Sequence, residues 1–356
     1  MKHKKICIVG AGLFGCTIAL VLSKAGYFVD LYEKNPDIMS ETSLKNQQRF
    51  HLGYHYPRSS KTISEIKSSF NIFTKFYGKR IFGKTKNVYA ISKENSKINF
   101  NEYISILKKN KLKYLRNHNT KIFSKLIENS IVVPEKNLNF FMIKKIILNK
   151  ITKEKKINLF LNSAFGKKNK SMYKKIIICC YSRNNEILKS IGINSKKIFS
   201  KKYELVEKII VKLPNIFKNL SLVILDGNFL NFDPFIGTKY HLLSAVKQSK
   251  LEILNSKYPN FKNRKRRFLK KKFSTNLRES KFKEFIKFSK NYVPLIKESQ
   301  YIKSFYTIRC VQNSKNDHER RNEINFINKK IITVQSGKWN TCVSLALKIK
   351  NILKYK

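Results

Sequence analysis

The stretch Ile6–Glu33, ICIVGAGLFGCTIALVLSKAGYFVDLYE, decides the fold. It opens on ICIV, a short continuous apolar run of the kind needed by a parallel strand buried on both faces. Gly10-Ala11-Gly12-Leu13-Phe14-Gly15 follows with the spacing G-x-G-x-x-G. Apolar residues at Cys16, Ile18, Ala19 and Leu22 then predict a helix, Ala25-Gly26 closes it, and FVDLY at Phe28–Tyr32 predicts a second strand. Glu33 ends that strand about 20 residues beyond the glycines, where a ribose-binding carboxylate belongs. Gly10 permits the tight turn, Gly12 lets the backbone approach a pyrophosphate, and Gly15 lets helix and strand pack closely. The helix start at Leu13 and Phe14 offers unbonded N–H groups and the positive end of the helix dipole to that pyrophosphate. Glu33, followed by Lys34, is placed to accept hydrogen bonds from adenosine ribose hydroxyls, and its negative charge disfavours a 2′-phosphate. The expectation is an α/β chain built on a Rossmann-type dinucleotide-binding unit.

Working outward, the 356 residues suffice for about two domains. With 42% hydrophobic and 12% aromatic residues a sizeable core is available, which excludes a wholly disordered chain. No run of about 18 uncharged apolar residues is present, so no transmembrane helix is expected. The N-terminal pattern of basic residues before an apolar run imitates a signal peptide but is accounted for by the nucleotide motif it contains. Lys+Arg 75 against Asp+Glu 22 gives a net charge of +53. The lysines are spread along the whole length with many Ile and Asn residues, and Arg, the residue that reads bases and phosphates bidentately, is scarce. That distribution reads as compositional bias, and no specific nucleic-acid partner is expected. The one dense basic cluster, KNRKRRFLKKK at Lys262–Lys272, is read either as a solvated face or as a weak contact for an anionic surface. The six cysteines, Cys7, Cys16, Cys179, Cys180, Cys310 and Cys342, show neither C-x-x-C nor zinc-ligand spacing, so no metal site is expected, and a reducing cytoplasm fits them.

The segment Ser40–Ser59, SETSLKNQQRFHLGYHYPRS, is dense in hydrogen-bonding groups soon after the second strand. Thr42-Ser43-x-x-Asn46 followed by His51-x-Gly53-x-x-Tyr56 resembles the stretch of the D-amino-acid-oxidase-like superfamily of FAD-dependent oxidoreductases, in particular its L-2-hydroxyglutarate and glycerol-3-phosphate dehydrogenase branches. The resemblance implies FAD as cofactor, with Ser43, Asn46 and Gln47 along it and His51 beside the flavin ring. Gln48-Arg49 stands where relatives usually carry small or apolar residues.

In the middle of the chain, helical spacing covers Ile66–Tyr77, a strand is read at Asn87–Ser92, a helix around Glu102–Leu107, and an amphipathic helix then a strand across Val133–Phe165. Tyr173–Cys180 reads as a buried strand. Strands separated by Asp226-Gly227-Asn228 and Asp233-Pro234 between 201 and 250 predict an antiparallel sheet, and 251–300 reads as Lys/Phe-rich helices. At the C-terminus, strands at Tyr306–Val311 and Lys329–Val334 precede Gln335-Ser336-Gly337-Lys338 and a helix from about Asn340 to Leu353. By the resemblance this is the return to the FAD domain, with Gly337 and Lys338 at the flavin and Arg309 holding a substrate carboxylate or phosphate through its planar fork. A histidine is suited to removing a hydroxyl or amine proton. His51 is the expected base, with His55 and His241 as lesser candidates, Arg49 a candidate anion contact, and Asp317, Arg320 and Arg321 weaker ones.

The resulting expectation is an FAD-binding domain from 1–75, 128–190 and 305–356, and an α+β substrate domain on an antiparallel sheet from 76–127 and 191–304. The expected activity is oxidation of a CH–OH or CH–NH₂ carbon of a small anionic substrate by hydride transfer to flavin. The alternatives are a flavoenzyme acting on a sugar or sugar nucleotide, and a basic RNA- or membrane-surface-binding protein with an inert nucleotide fold.

Overall fold

The computed structural model describes residues 5–227, 229–311 and 322–354; Asp317, Arg320 and Arg321 lie outside them. The first unit forms as its sequence requires. Strand Lys5–Val9 pairs in parallel with Phe28–Tyr32 on one side and with Lys175–Ile178 on the other. Its residues Ile6–Val9 are all buried, which is why they are apolar without alternation. Ile157–Phe160 and Ile331–Gln335 extend the sheet in parallel, and Glu323–Phe326 adds an antiparallel edge strand. Helix Leu13–Lys24 covers one face, packing on the C-terminal helix Cys342–Lys354.

Two glycines of the turn have positions that no other residue fills without strain. Gly10 has φ +99°, a left-handed backbone. A Cβ on Gly15 would sit 1.9 Å from the Gly10 carbonyl oxygen. Gly15 therefore stays outside the cavity described below and acts by letting helix and turn touch.

The second sheet runs Lys250–Ser256, Lys201–Lys212, His241–Ala245, Leu230–Pro234, Leu220–Leu225, Lys86–Ser92, Ile127–Val133 and Leu115–Arg116, with Gln300–Val311 also paired to Lys201–Lys212. It is antiparallel except where Lys86–Ser92 meets Leu220–Leu225 in parallel. Three expectations need correction here. Ile127–Val133 belongs to this sheet, so the boundary drawn at 128 moves towards the helix Phe140–Thr152. Gln300–Val311 pairs along its length with Lys201–Lys212, so the return to the first sheet begins at Glu323 and not at 305. Residues 251–300 start with a strand, Lys250–Ser256, and hold only short helical turns before the helix Phe282–Ser289. The physical reason is common to all three: a strand's own pattern specifies which face is buried, while its hydrogen-bond partner is chosen by distant residues.

Among the described residues no helix is long and apolar enough to cross a membrane. The six cysteines are free. The cluster Lys262–Lys272 lies largely exposed, with Lys265 near Glu252 and Arg267 and Lys271 near Glu279.

Candidate active site

A cavity of about 680 Å³ lies between the carboxyl ends of the parallel strands and the second sheet. Gly10, Gly12, Leu13, Phe14, Glu33, Lys34, Ser43, Asn46, Gln47, Arg49, His51, Arg309, Gly337 and Lys338 all line it. Residues spread over the whole chain thus converge on one space, at the edge where open α/β sheets bind ligands.

The nucleotide end is held by its own hydrogen bonds. Glu33 Oε2 accepts from the Ala11 N–H at 2.9 Å and Oε1 from the Asn35 N–H at 3.0 Å, so the carboxylate ties the second strand to the glycine turn. Burial raises its pKa. Its remaining lone pairs are available to ribose hydroxyls. Ser43 Oγ accepts from the Leu13 N–H at 3.1 Å and faces Gly12. Asn46 spends its amide on its own turn, donating to the Thr42 and Ser43 carbonyls at 2.8 and 2.9 Å and accepting from the Gln48 N–H at 2.7 Å. Its side chain shapes the loop. Gln47 Nε2 donates to Asn231 Oδ1 at 2.6 Å and Asp233 Oδ2 at 3.0 Å, which fastens the loop to the second sheet.

Arg49 and Arg309 differ from expectation, for the same electrostatic reason. Arg49 is buried, and its Nη2 lies 2.5 Å from Asp233 Oδ1. Burial is the largest influence and works against its charge, but Asp233, Tyr89 and Glu135 together outweigh it and keep the guanidinium protonated. Arg309 directs both Nε and Nη2 to Glu204, which Lys250 also approaches at 3.3 Å. The fork expected to hold a substrate anion is therefore already filled by a carboxylate of the neighbouring strand. His241 is also displaced: it lies outside the cavity lining, bonds the Phe217 carbonyl at 3.0 Å through Nε2, and burial drops its pKa to about 4.

His51 lies where a proton acceptor is wanted. Burial, then the charges of Lys338, His55 and Arg49, hold its pKa well below the usual 6.5, so it is neutral at physiological pH. The His55 ring, also lining the cavity, is 5.2 Å away. Lys338 Nζ stands 4.7 Å from the centre of the Tyr56 ring, and burial lowers its pKa to about 8. The turn that carries it is pinned by the Gly337 N–H donating to Asn322 Oδ1 at 2.8 Å.

Sequence reasoning missed Lys208. It projects into the cavity from strand Lys201–Lys212, donates to Ser244 Oγ at 2.6 Å, and has its pKa lowered to about 7 by burial and then by Arg309. Period-two alternation puts Lys208 on the face of Glu204, Val206 and Ile210, but in a chain this rich in lysine that signal does not stand out. Glu135 was missed too, as an isolated carboxylate after a proline.

Residues 5–97 match the family model described as DAO, FAD dependent oxidoreductase. That stretch, about a quarter of the chain, is thus similar to an FAD dependent oxidoreductase domain. A stretch of 100 residues, 28% of this chain, is 34% identical to FAD-dependent monooxygenase FPY4 of Fusarium mangiferae, covering 27% of that protein. FAD-dependent monooxygenase kojA of Aspergillus flavus is 36% identical over 86 residues, 24% of this chain and 20% of that protein. The chain thus spans about a quarter of the length of the curated relatives it matches.

The likeness of fold covers far more. The L-alpha-glycerophosphate oxidase of Mycoplasma pneumoniae, solved with FAD bound, superposes with a TM-score of 0.74 at 15% identity, over 100% of this chain and 96% of that one. Glycine oxidase from Geobacillus kaustophilus does so at 0.69 and 12% identity, over 99% and 95%.

The residues present in this chain fit FAD as the cofactor. Gly10, Gly12, Leu13 and Phe14 line the cavity, although the Leu13 N–H, expected to be unbonded, is taken by Ser43 Oγ. Beyond this turn the residues that line the cavity hold buried polar atoms without partners, among them Gln47 Oε1, Gln48 Oε1 and Arg49 Nη1. Buried polar groups are rarely left unsatisfied, and those that line a cavity indicate a polar ligand.

Proposed function

We propose that this flavoprotein oxidises a CH–OH or CH–NH₂ carbon of a small anionic molecule. FAD, held by the glycine turn, Glu33, the Ser43–Gln47 loop and the Gly337–Lys338 turn, supplies the acceptor for the hydride. His51, kept neutral by burial and its cationic neighbours, takes the hydroxyl or amine proton. Lys208 carries the charge that attracts the anionic group, since the guanidinium groups of Arg49 and Arg309 are neutralised by Asp233 and Glu204. The second sheet walls one side of the cavity with Val206, Lys208, Asn231 and Ser244.

The observation that carries this reading is that His51, on the loop after Arg49–Phe50, and Lys208, on strand Lys201–Lys212, line the same cavity as the glycine turn. The test is anaerobic bleaching of the flavin absorbance by a panel of 2-hydroxy acids, amino acids and glycerol phosphates. With a bleaching compound in hand, His51→Asn is expected to slow bleaching by about 10²–10⁴-fold while FAD stays bound. An unchanged rate refutes the assignment of the base. Failure of the purified chain to bind FAD refutes the whole reading.

A further inference from the structure

Behind His51 lies a carboxylate that the reaction as described leaves without a task. Glu135, on the turn between strand Ile127–Val133 and Leu138, is only 1% exposed. Each of its oxygens already serves a donor: Oε1 accepts from the Leu52 N–H at 2.7 Å, and Oε2 from the Tyr89 hydroxyl at 2.6 Å. These two donors favour the ionised form, because a proton on either oxygen would compete with them. Burial opposes ionisation and raises the carboxyl to about 7. A fold seldom maintains such a costly group in its interior unless it answers another charge.

Arg49 is one charge beside it, itself paired with Asp233; the other is the imidazolium that forms when His51 takes a proton. Nδ1 of His51 is buried and has no hydrogen-bond partner, and Glu135 Oε2 lies 3.9 Å from it. A movement of about 1 Å brings the two into hydrogen-bonding distance, and such contacts are commonly long before a substrate is bound. The other end of the residue is already held, since Asn340 Nδ2 donates to the His51 carbonyl at 3.1 Å. Facing the pair are Arg49, Tyr89, Asp233, Tyr54 and Tyr103 around Glu135, and Lys338, His55 and Arg49 around His51. The charged groups that face His51 disfavour an imidazolium, and Glu135 is the negative group within 4 Å of its ring.

We propose that Glu135 is the positioning residue for His51: it accepts the hydrogen bond of Nδ1–H, and so presents Nε2 unprotonated to the cavity. When Nε2 takes the substrate's proton, the imidazolium is formed beside a carboxylate, and the electron pair of the broken O–H or N–H bond stays with the substrate heteroatom. This inference rests on the base assignment above, but its main readout is independent of it.

The experiment is ¹⁵N imidazole NMR of the full-length protein, with the His51 signals assigned through His51→Asn. The wild type is expected to show His51 as the Nδ1-protonated tautomer. In Glu135→Gln, which keeps the shape and removes the charge present above about pH 7, the spectrum at about pH 8.5 is expected to lose the single Nδ1-protonated form in favour of a mixture of tautomers, and flavin bleaching at that pH to slow at least about 10-fold. Glu135→Asp, which keeps the charge, is expected to restore part of both. A group with a merely structural role would alter FAD retention or stability and leave the tautomer in place. An Nε2-protonated tautomer in the wild type overturns the proposal without any variant, as does an unchanged tautomer in Glu135→Gln. Normal bleaching by His51→Asn sinks the base assignment instead, whatever the tautomer.

Discussion

Replacing Gly15 by alanine separates the two things a glycine can do in this turn. In an exposed helix, Gly→Ala gains about 1 kcal/mol from helix propensity. Gly15 lies in the first turn of helix Leu13–Lys24, so propensity alone predicts stabilisation. The geometry predicts the opposite. The new Cβ would stand 1.9 Å from the Gly10 oxygen and 3.1 Å from the Gly10 carbonyl carbon. Real Cβ atoms essentially never approach within 3.0 Å of such an atom, so the helix and the glycine turn must part by about an ångström. Overpacking of this kind costs about 1–3 kcal/mol, and more where backbone meets backbone.

Gly10 lines the cavity, so the displacement falls on the surface proposed to bind FAD. We expect Gly15→Ala to lose about 2–3 kcal/mol in urea unfolding and to weaken FAD binding at least about 100-fold, the equivalent of about 2.7 kcal/mol. Gly26→Ala is the matched control. Gly26 has φ +92° and nothing within 4 Å of the added methyl, so only backbone strain of about 1 kcal/mol is expected, with FAD affinity intact. Fluorescence titration of the apoprotein with FAD reads both. Wild-type affinity and stability in Gly15→Ala would refute the close packing on which the pyrophosphate site depends.

The pH profile of flavin bleaching should keep its plateau down through pH 6. His51 acts when neutral, and its midpoint lies well below 6.5, so activity is lost only on acidification beyond the ordinary histidine range. An acid limb at or above 6.5 contradicts that burial effect. For Lys208 the sign reverses: the ammonium is present below about pH 7 and is lost above it, so affinity for an unreactive carboxylate should weaken as the pH rises from 7 to 9. Lys208→Met should flatten that dependence, as measured by flavin difference spectra. Removing Asp233 as Asp233→Asn strands the Arg49 charge and also weakens acceptance from Asn137 and Ser221, a loss of about 3–5 kcal/mol in urea unfolding. Adding Arg49→Met to it should recover part of that loss, and strictly additive losses would argue against the pair.

The sequence by itself determined the first sheet, the turn and the identity of the ligand class. That information is local: Ile6–Val9 is apolar because both faces of its strand are covered, and Gly10 and Gly15 stand where φ and close contact exclude a side chain. Linear spacing put Glu33 with the glycine turn and the family resemblance put Ser43 along the same ligand, while the structure shows that Glu33 bonds Ala11 and Ser43 bonds Leu13 at one end of a cavity. Spacing was not enough to say which charges survive there. Arg49 and Arg309 were both legible as arginines near the site, yet their partners, Asp233 and Glu204, lie 184 and 105 residues away. Lys208 and Glu135 were invisible for the complementary reason, because one lysine among many and one lone glutamate gain meaning only from burial. A side chain's charge state depends on the dielectric and on the neighbours that the tertiary structure assembles around it. The chain could therefore announce where a dinucleotide rests, while only the folded protein decided which groups beside it are free to bind an anion or move a proton.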